Sequence, residues 1–72
     1  MNAAQTIVVR LDGRPHTMPL GSTLADLVAA LGRAPEAVAT AVNDRFVPRA
    51  QRGGHLLQPG DSVLLFQPIV GG

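Results

Sequence analysis

Only one stretch of this 72-residue sequence repeats its apolar residues at the helical period over two turns. In "PLGSTLADLVAALG", Leu24, Leu27, Val28 and Leu31 fall at i, i+3, i+4 and i+7, which makes a single stripe. Thr23 is the expected N-cap. Asp26 stands three residues on, where a capping box and the helix dipole both favour an acid. Gly32 occupies the position at which a helix usually ends in a left-handed residue. A lone helix this short cannot build a core by itself, so its stripe has to cover a sheet. That requirement restricts the chain to the α+β class, with a mixed sheet of four to five strands packed on one main helix.

The strands are legible on either side of the helix. In "TIVVRL", Ile7, Val9 and Leu11 share one face, and Val8 and Arg10 share the other. Asp12-Gly13 is a strong two-residue hairpin signal, because both turn positions must tolerate positive φ. "RPHTM" returns as a short strand, and Pro15, which has no ladder donor, places it at an edge. After the helix, "VATAVN" puts Val38, Thr40 and Val42 on one side and Ala39 and Ala41 on the other. Asn43-Asp44 turns the chain into "RFVPR", a brief strand closed by Pro48. "AQRGGHLLQ" reads as irregular with one helical turn, anchored to the core by Leu56 or Leu57. Gln58-Pro59-Gly60-Asp61 has the chemistry of a type II turn and leads into the last strand, "SVLLFQ".

That last strand is apolar on both faces, with Val63 and Leu65 on one and Leu64 and Phe66 on the other. One helix can bury only one side of the sheet. A β-branched residue just inside the turn suits the packed side, so Val63 and Leu65 are expected to face the helix. Leu64 and Phe66 are then left outward, as an apolar patch available to a partner. Beyond the strand the sequence ends "QPIVGG", with no ionisable, hydroxyl or thiol side chain. The expected organisation is a disordered extension over residues 1–5, a folded domain over 6–67 and a flexible tail over 68–72.

Composition removes several other functions. There is no cysteine, hence no disulfide and no thiolate metal site, and His16 and His55 lack the spacing of a metal motif. The formal net charge is +1, with the six basic residues, all arginine, dispersed along the chain. Phe46 and Phe66 are the only aromatic residues, so the stacking platform of a single-strand nucleic-acid binder is missing. No apolar run approaches a membrane span, and "MNAAQ" has neither the basic nor the apolar region of a signal peptide. A cytoplasmic protein with neither nucleic-acid nor membrane partners is expected.

From "AVNDRFVPR" through "LLQPGDSVLLFQPIVGG" the chain resembles the ThiS family of sulfur carriers from thiamin thiazole biosynthesis. Residues 43–49 fit the family's N-x-x-x-V-P-R segment, "PGDSVLLF" fits its turn into the final strand, and Gly71-Gly72 fits its ending. The resemblance implies a ubiquitin-like β-grasp fold and a protein that is not itself an enzyme. It implies that a ThiF-type adenylyltransferase, using ATP and magnesium, adenylates the Gly72 carboxylate. Sulfur that comes from a cysteine desulfurase or another persulfide donor then gives a thiocarboxylate, and ThiG thiazole synthase consumes it. The resemblance also implies that the carrier itself binds no cofactor. Pro68, Ile69, Val70 and Gly71 would thread into the partners' active sites. Leu64, Phe66, Ala39, Ala41 and Arg49 would form the docking patch, Arg49 pairing with an acid of a partner. Three other readings share the fold: the small subunit of molybdopterin synthase (which often has proline at the position of Pro68), a ubiquitin-like protein modifier, and a plain binding module with an inert tail.

Overall fold

The computed structural model describes residues 5–67. Five strands and one α-helix are formed in the order β1 (Thr6–Leu11), β2 (Arg14–Pro19), α1 (Leu24–Ala30), β3 (Ala39–Val42), β4 (Arg45–Val47) and β5 (Ser62–Phe66). Short 3-10 helices cover Pro35–Ala37 and Arg49–Gly54. The sheet order is β2-β1-β5-β3-β4. Only β1 and β5 run parallel, and the other three pairs are antiparallel. The last strand of the chain therefore sits in the middle of the sheet. This mixed sheet around one helix is the β-grasp arrangement that the resemblance implies.

Local chemistry accounts for each boundary. Asp12 and Gly13 have φ of 51° and 85°, and Asn43 and Asp44 have φ of 52° and 70°, as two-residue hairpin loops require. Helix α1 opens on a complete capping box, in which Thr23 Oγ1 accepts from the Asp26 N–H and the Asp26 carboxylate accepts from the Thr23 N–H. It closes on a Schellman motif: Gly32, at φ 73°, donates its N–H to Ala29 O, and Arg33 donates to Val28 O. Gly60, at φ 85°, takes the third position of the turn before β5, with the Asp61 N–H donating to Gln58 O. Prolines 15 and 19 lie in β2, at one edge of the sheet. The carbonyl of Gln5, a residue assigned from sequence to the extension, accepts from the Leu20 N–H. The rest of that extension (1–4) and the tail (68–72) lie outside the described residues.

The core lies between α1 and one face of the sheet. Ile7, Val9, Met18, Val42, Val47 and Val63 from the strands meet Leu24 and Leu27 from the helix. Of the two leucines named as anchors of the loop before β5, Leu57 is buried and Leu56 is exposed. The segment holds its place by backbone pairing, with the Leu24 N–H donating to His55 O and the Leu57 N–H to Ser22 O. His16 and His55 are half-buried on separate elements, and no group of three or more potential metal ligands forms among the described residues.

One charged residue is inside, and nothing in the sequence marks it. Arg52 is 4% exposed. Its guanidinium donates to Thr40 Oγ1 at 3.1 Å, Pro35 O at 2.9 Å and Val38 O at 2.6 Å, while the Thr40 hydroxyl donates onward to Val47 O at 2.9 Å. Burial, and then the neighbouring charge of Arg49, lowers the Arg52 pKa from its ordinary value. The side chain ties both 3-10 helices to β3, and Thr40 ties β3 to β4. Arg52→Met would keep much of the volume but leave the Val38 and Pro35 carbonyls without donors. Orphaned buried groups cost about 1–3 kcal/mol each, partly offset by relief from desolvating the cation. A loss of about 2–4 kcal/mol is expected in urea unfolding, and no loss would mean that water satisfies those carbonyls equally well.

Candidate functional site

The face of the sheet turned away from α1 carries an apolar patch that the strand register assembles. In the β3–β5 ladder Ala39 lies opposite Phe66 and Ala41 opposite Leu64, and in the β3–β4 ladder Ala41 lies opposite Phe46. Directly opposed residues point to the same side of a sheet, as do residues two apart on a strand. All five side chains therefore share the outer face. Leu64 is 42% exposed, Phe66 47% and Phe46 63%, whereas Val63 is fully buried and Leu65 packs partly against the core. The register expected for β5 is the one observed. Ala39 is itself buried, so it supplies a floor between the larger groups and little contact area of its own.

Phe46 is the member of this patch that sequence reasoning left out. The alternation of "RFV" carries the signal: with Val47 inward, Phe46 has to point outward. Both aromatic residues of the chain thus lie exposed on one face of the sheet and neither is in the core. Beside them a hollow of about 210 Å³ is lined by Pro35, Glu36, Ala39, Phe46 and the exposed Arg49. Arg49 begins the second 3-10 helix, and the buried Arg52 on the same helix holds that helix against β3. A larger hollow of about 460 Å³ at the β2–α1 end contains one ionisable group, Asp26, which is already used in the helix cap.

Strand β5 carries two members of the patch and leads directly to residues 68–72, and side chains from turns hold it at both ends. At its start the Ser62 N–H donates to Asn43 Oδ1 at 3.0 Å, and Asn43 Nδ2 donates to Asp61 Oδ1 at 3.1 Å. The other Asp61 oxygen accepts from the Gln58 N–H at 2.9 Å. Asn43 and Asp61, expected only to shape their own turns, therefore join those two turns to each other. At the far end the Leu65 N–H donates to Asp12 Oδ1 at 3.1 Å. Of the proposed site residues, the structure brings together Ala39, Ala41, Leu64, Phe66 and Arg49. Pro68, Ile69, Val70, Gly71 and Gly72 lie outside the described residues.

A mixed five-stranded sheet closed on one helix, with its apolar outer face exposed, defines a ubiquitin-like β-grasp domain. The ThiS family model matches residues 4–72. The sulfur carrier protein ThiS of Escherichia coli (strain K12) is 42% identical over 52 residues, covering 72% of this chain and 79% of that protein. A thiazole synthase of Magnetococcus marinus is 39% identical over 64 residues, 89% of this chain but 20% of that protein, so the chain spans about a fifth of this relative. The crystal structure of the thiamine biosynthesis protein ThiS from Geobacter metallireducens has the same fold. Its TM-score is 0.80 at 23% identity, covering 92% of this chain and all of that one. The solution structure of a thiamine biosynthesis protein from the same organism gives 0.74, also at 23% identity, covering 92% of this chain and 88% of that one. The chain belongs to the ThiS family.

Proposed function

We propose that this chain is the sulfur carrier for thiazole formation in thiamin biosynthesis, with the Gly72 carboxylate as its reacting group. The observation that carries the reading is the union of family membership with the exposed Leu64, Phe66 and Phe46 surface, which lies on and beside the strand that leads to the tail. The similarity to a segment of a thiazole synthase supports that enzyme, rather than a molybdopterin synthase, as the recipient.

A carboxylate is a poor electrophile because its charge is delocalised and repels nucleophiles. A ThiF-type adenylyltransferase removes this obstacle: the Gly72 carboxylate oxygen attacks the α-phosphorus of ATP, pyrophosphate leaves, and magnesium bound by that partner offsets the phosphate charge. A persulfide sulfur then attacks the acyl carbon and expels AMP. A thiol then attacks the donor's sulfur and cleaves the S–S bond, which leaves the thiocarboxylate on Gly72 and a disulfide between that thiol and the donor. The carrier has no cysteine, so the persulfide, drawn from a cysteine desulfurase or similar donor, and the thiol both come from partners. ThiG takes the sulfur. The carrier acts as a co-substrate in the cytoplasm and catalyses no step itself.

Each partner has to admit the same terminus, which explains the glycines: a side chain at residue 71 or 72 would obstruct approach to phosphorus and sulfur. The five residues from Pro68 reach at most about 17 Å from the domain, enough to enter a buried site while the sheet stays docked outside. Leu64, Phe66 and Phe46 supply the docking area, Ala39 and Ala41 keep its floor low, and Arg49 pairs with a partner's acid at the rim. The test is intact mass after incubation with ATP, magnesium, a ThiF-type enzyme and a persulfide source. One terminal oxygen should be replaced by sulfur, with fragmentation placing the change on Gly72. Sulfur on any other residue, or a stable amide to a lysine of another protein, would exclude this reading.

A further inference from the structure

We propose that Asp12, in the hairpin between β1 and β2, is a positioning residue that sets the direction in which β5 delivers the reactive tail, an inference that rests on the function proposed above. Alternation along β5 sends the N–H groups of Ser62, Leu64 and Phe66 toward β3 and those of Val63 and Leu65 toward β1. The parallel ladder with β1 runs out early, because its last paired residues are Leu11 and Val63. Asp12 still donates its own N–H to Val63 O at 2.9 Å, but at φ 51° it turns the backbone away into β2. The next rung needs an acceptor for the Leu65 N–H. The Asp12 side chain provides it, with Oδ1 at 3.1 Å. One carboxylate oxygen thus stands in for the missing backbone carbonyl and extends the ladder by a rung.

The position of that rung gives it functional weight. On the other flank β5 is paired with β3 up to Phe66. On the β1 flank Asp12 is the last hold among the described residues. Held on both flanks, Leu65 and Phe66 fix the point and heading from which the remaining residues reach for a partner's site, and a misplacement of about 1 Å at a reacting centre can cost about a hundredfold.

Two substitutions separate the rung from the turn. Asp12→Gly accepts φ 51° without strain but removes the acceptor oxygen, whereas Asp12→Asn keeps both a side-chain oxygen and tolerance of that φ. Amide exchange at Leu65 is measured by NMR on the full chain. Adenylation by a ThiF-type enzyme is measured with ATP and magnesium, as kcat and KM for the carrier. Asp12→Gly should speed Leu65 exchange and lower kcat about tenfold with KM within about twofold, because docking is retained and aim is lost. Asp12→Asn should restore both. Unchanged exchange in Asp12→Gly, a loss confined to KM, or an Asn variant as impaired as the Gly variant would overturn the inference while leaving the carrier function in place. Failure of the unaltered protein to be adenylated would instead overturn the carrier function, and the role of Asp12 with it.

Discussion

Phe66→Arg is expected to leave the domain folded and to cut adenylation by a ThiF-type enzyme by about one to two orders of magnitude, whereas Val63→Arg, three residues earlier on the same strand, is expected to unfold it. The contrast follows from the pleat. Val63 is fully buried against the core, and an arginine there would be an unpaired cation costing several kcal/mol. A domain of 72 residues holds only about 4–11 kcal/mol in total. Phe66 is 47% exposed, and an arginine stem can lie over Ala39 with its head in water, so stability should change by less than about 1 kcal/mol. Docking loses the burial of an aromatic ring, about 1.5–3 kcal/mol, which converts to about 10- to 150-fold in affinity. Thermal unfolding and steady-state adenylation of the two variants together decide the matter. Unfolding by Phe66→Arg, or its full adenylation, would remove the outer face as the docking surface.

One residue added after Gly72 is expected to abolish formation of the thiocarboxylate without changing the melting temperature. An extra residue moves the carboxylate by about 3.3–3.6 Å along the chain, well outside a near-attack geometry in a site shaped for a glycine end. Intact mass of the extended chain under the conditions that convert the parent is the measurement. Sulfur incorporation at the new terminus at a comparable rate would mean that the partners do not measure the length of the arm. Docking strength should be the same for both chains, because the outer face is untouched; a loss of binding would point to the tail as part of the grip.

Residues whose local chemistry is self-contained were legible before any tertiary information. The capping box of Thr23 and Asp26, the Asp12-Gly13 and Asn43-Asp44 loops and the turn at Gly60 each involve residues a few positions apart, so side-chain type and spacing suffice. The outer patch was nearly legible, because one helix covers one face and period-two alternation assigns Leu64 and Phe66 to the other. Phe46 was reachable by the same rule but sat in a strand of three residues, too short for alternation to stand out.

What the sequence by itself determined was therefore the five strands and the one helix, and the face that β5 buries; each depends on periods of two to four residues. Only the tertiary structure decided which side chains cross between elements. Arg52 looks like any of the six arginines until the 3-10 helix at Arg49–Gly54 lies against β3 and three oxygens surround its guanidinium. Asp12 reaches Leu65 across 53 positions, and Asn43 meets Asp61 across 18. Such pairings leave no periodic trace, because their partners are brought together by strand pairing and packing between elements distant in the chain, and a hydrogen bond is decided over a few tenths of an ångström that no spacing in sequence encodes.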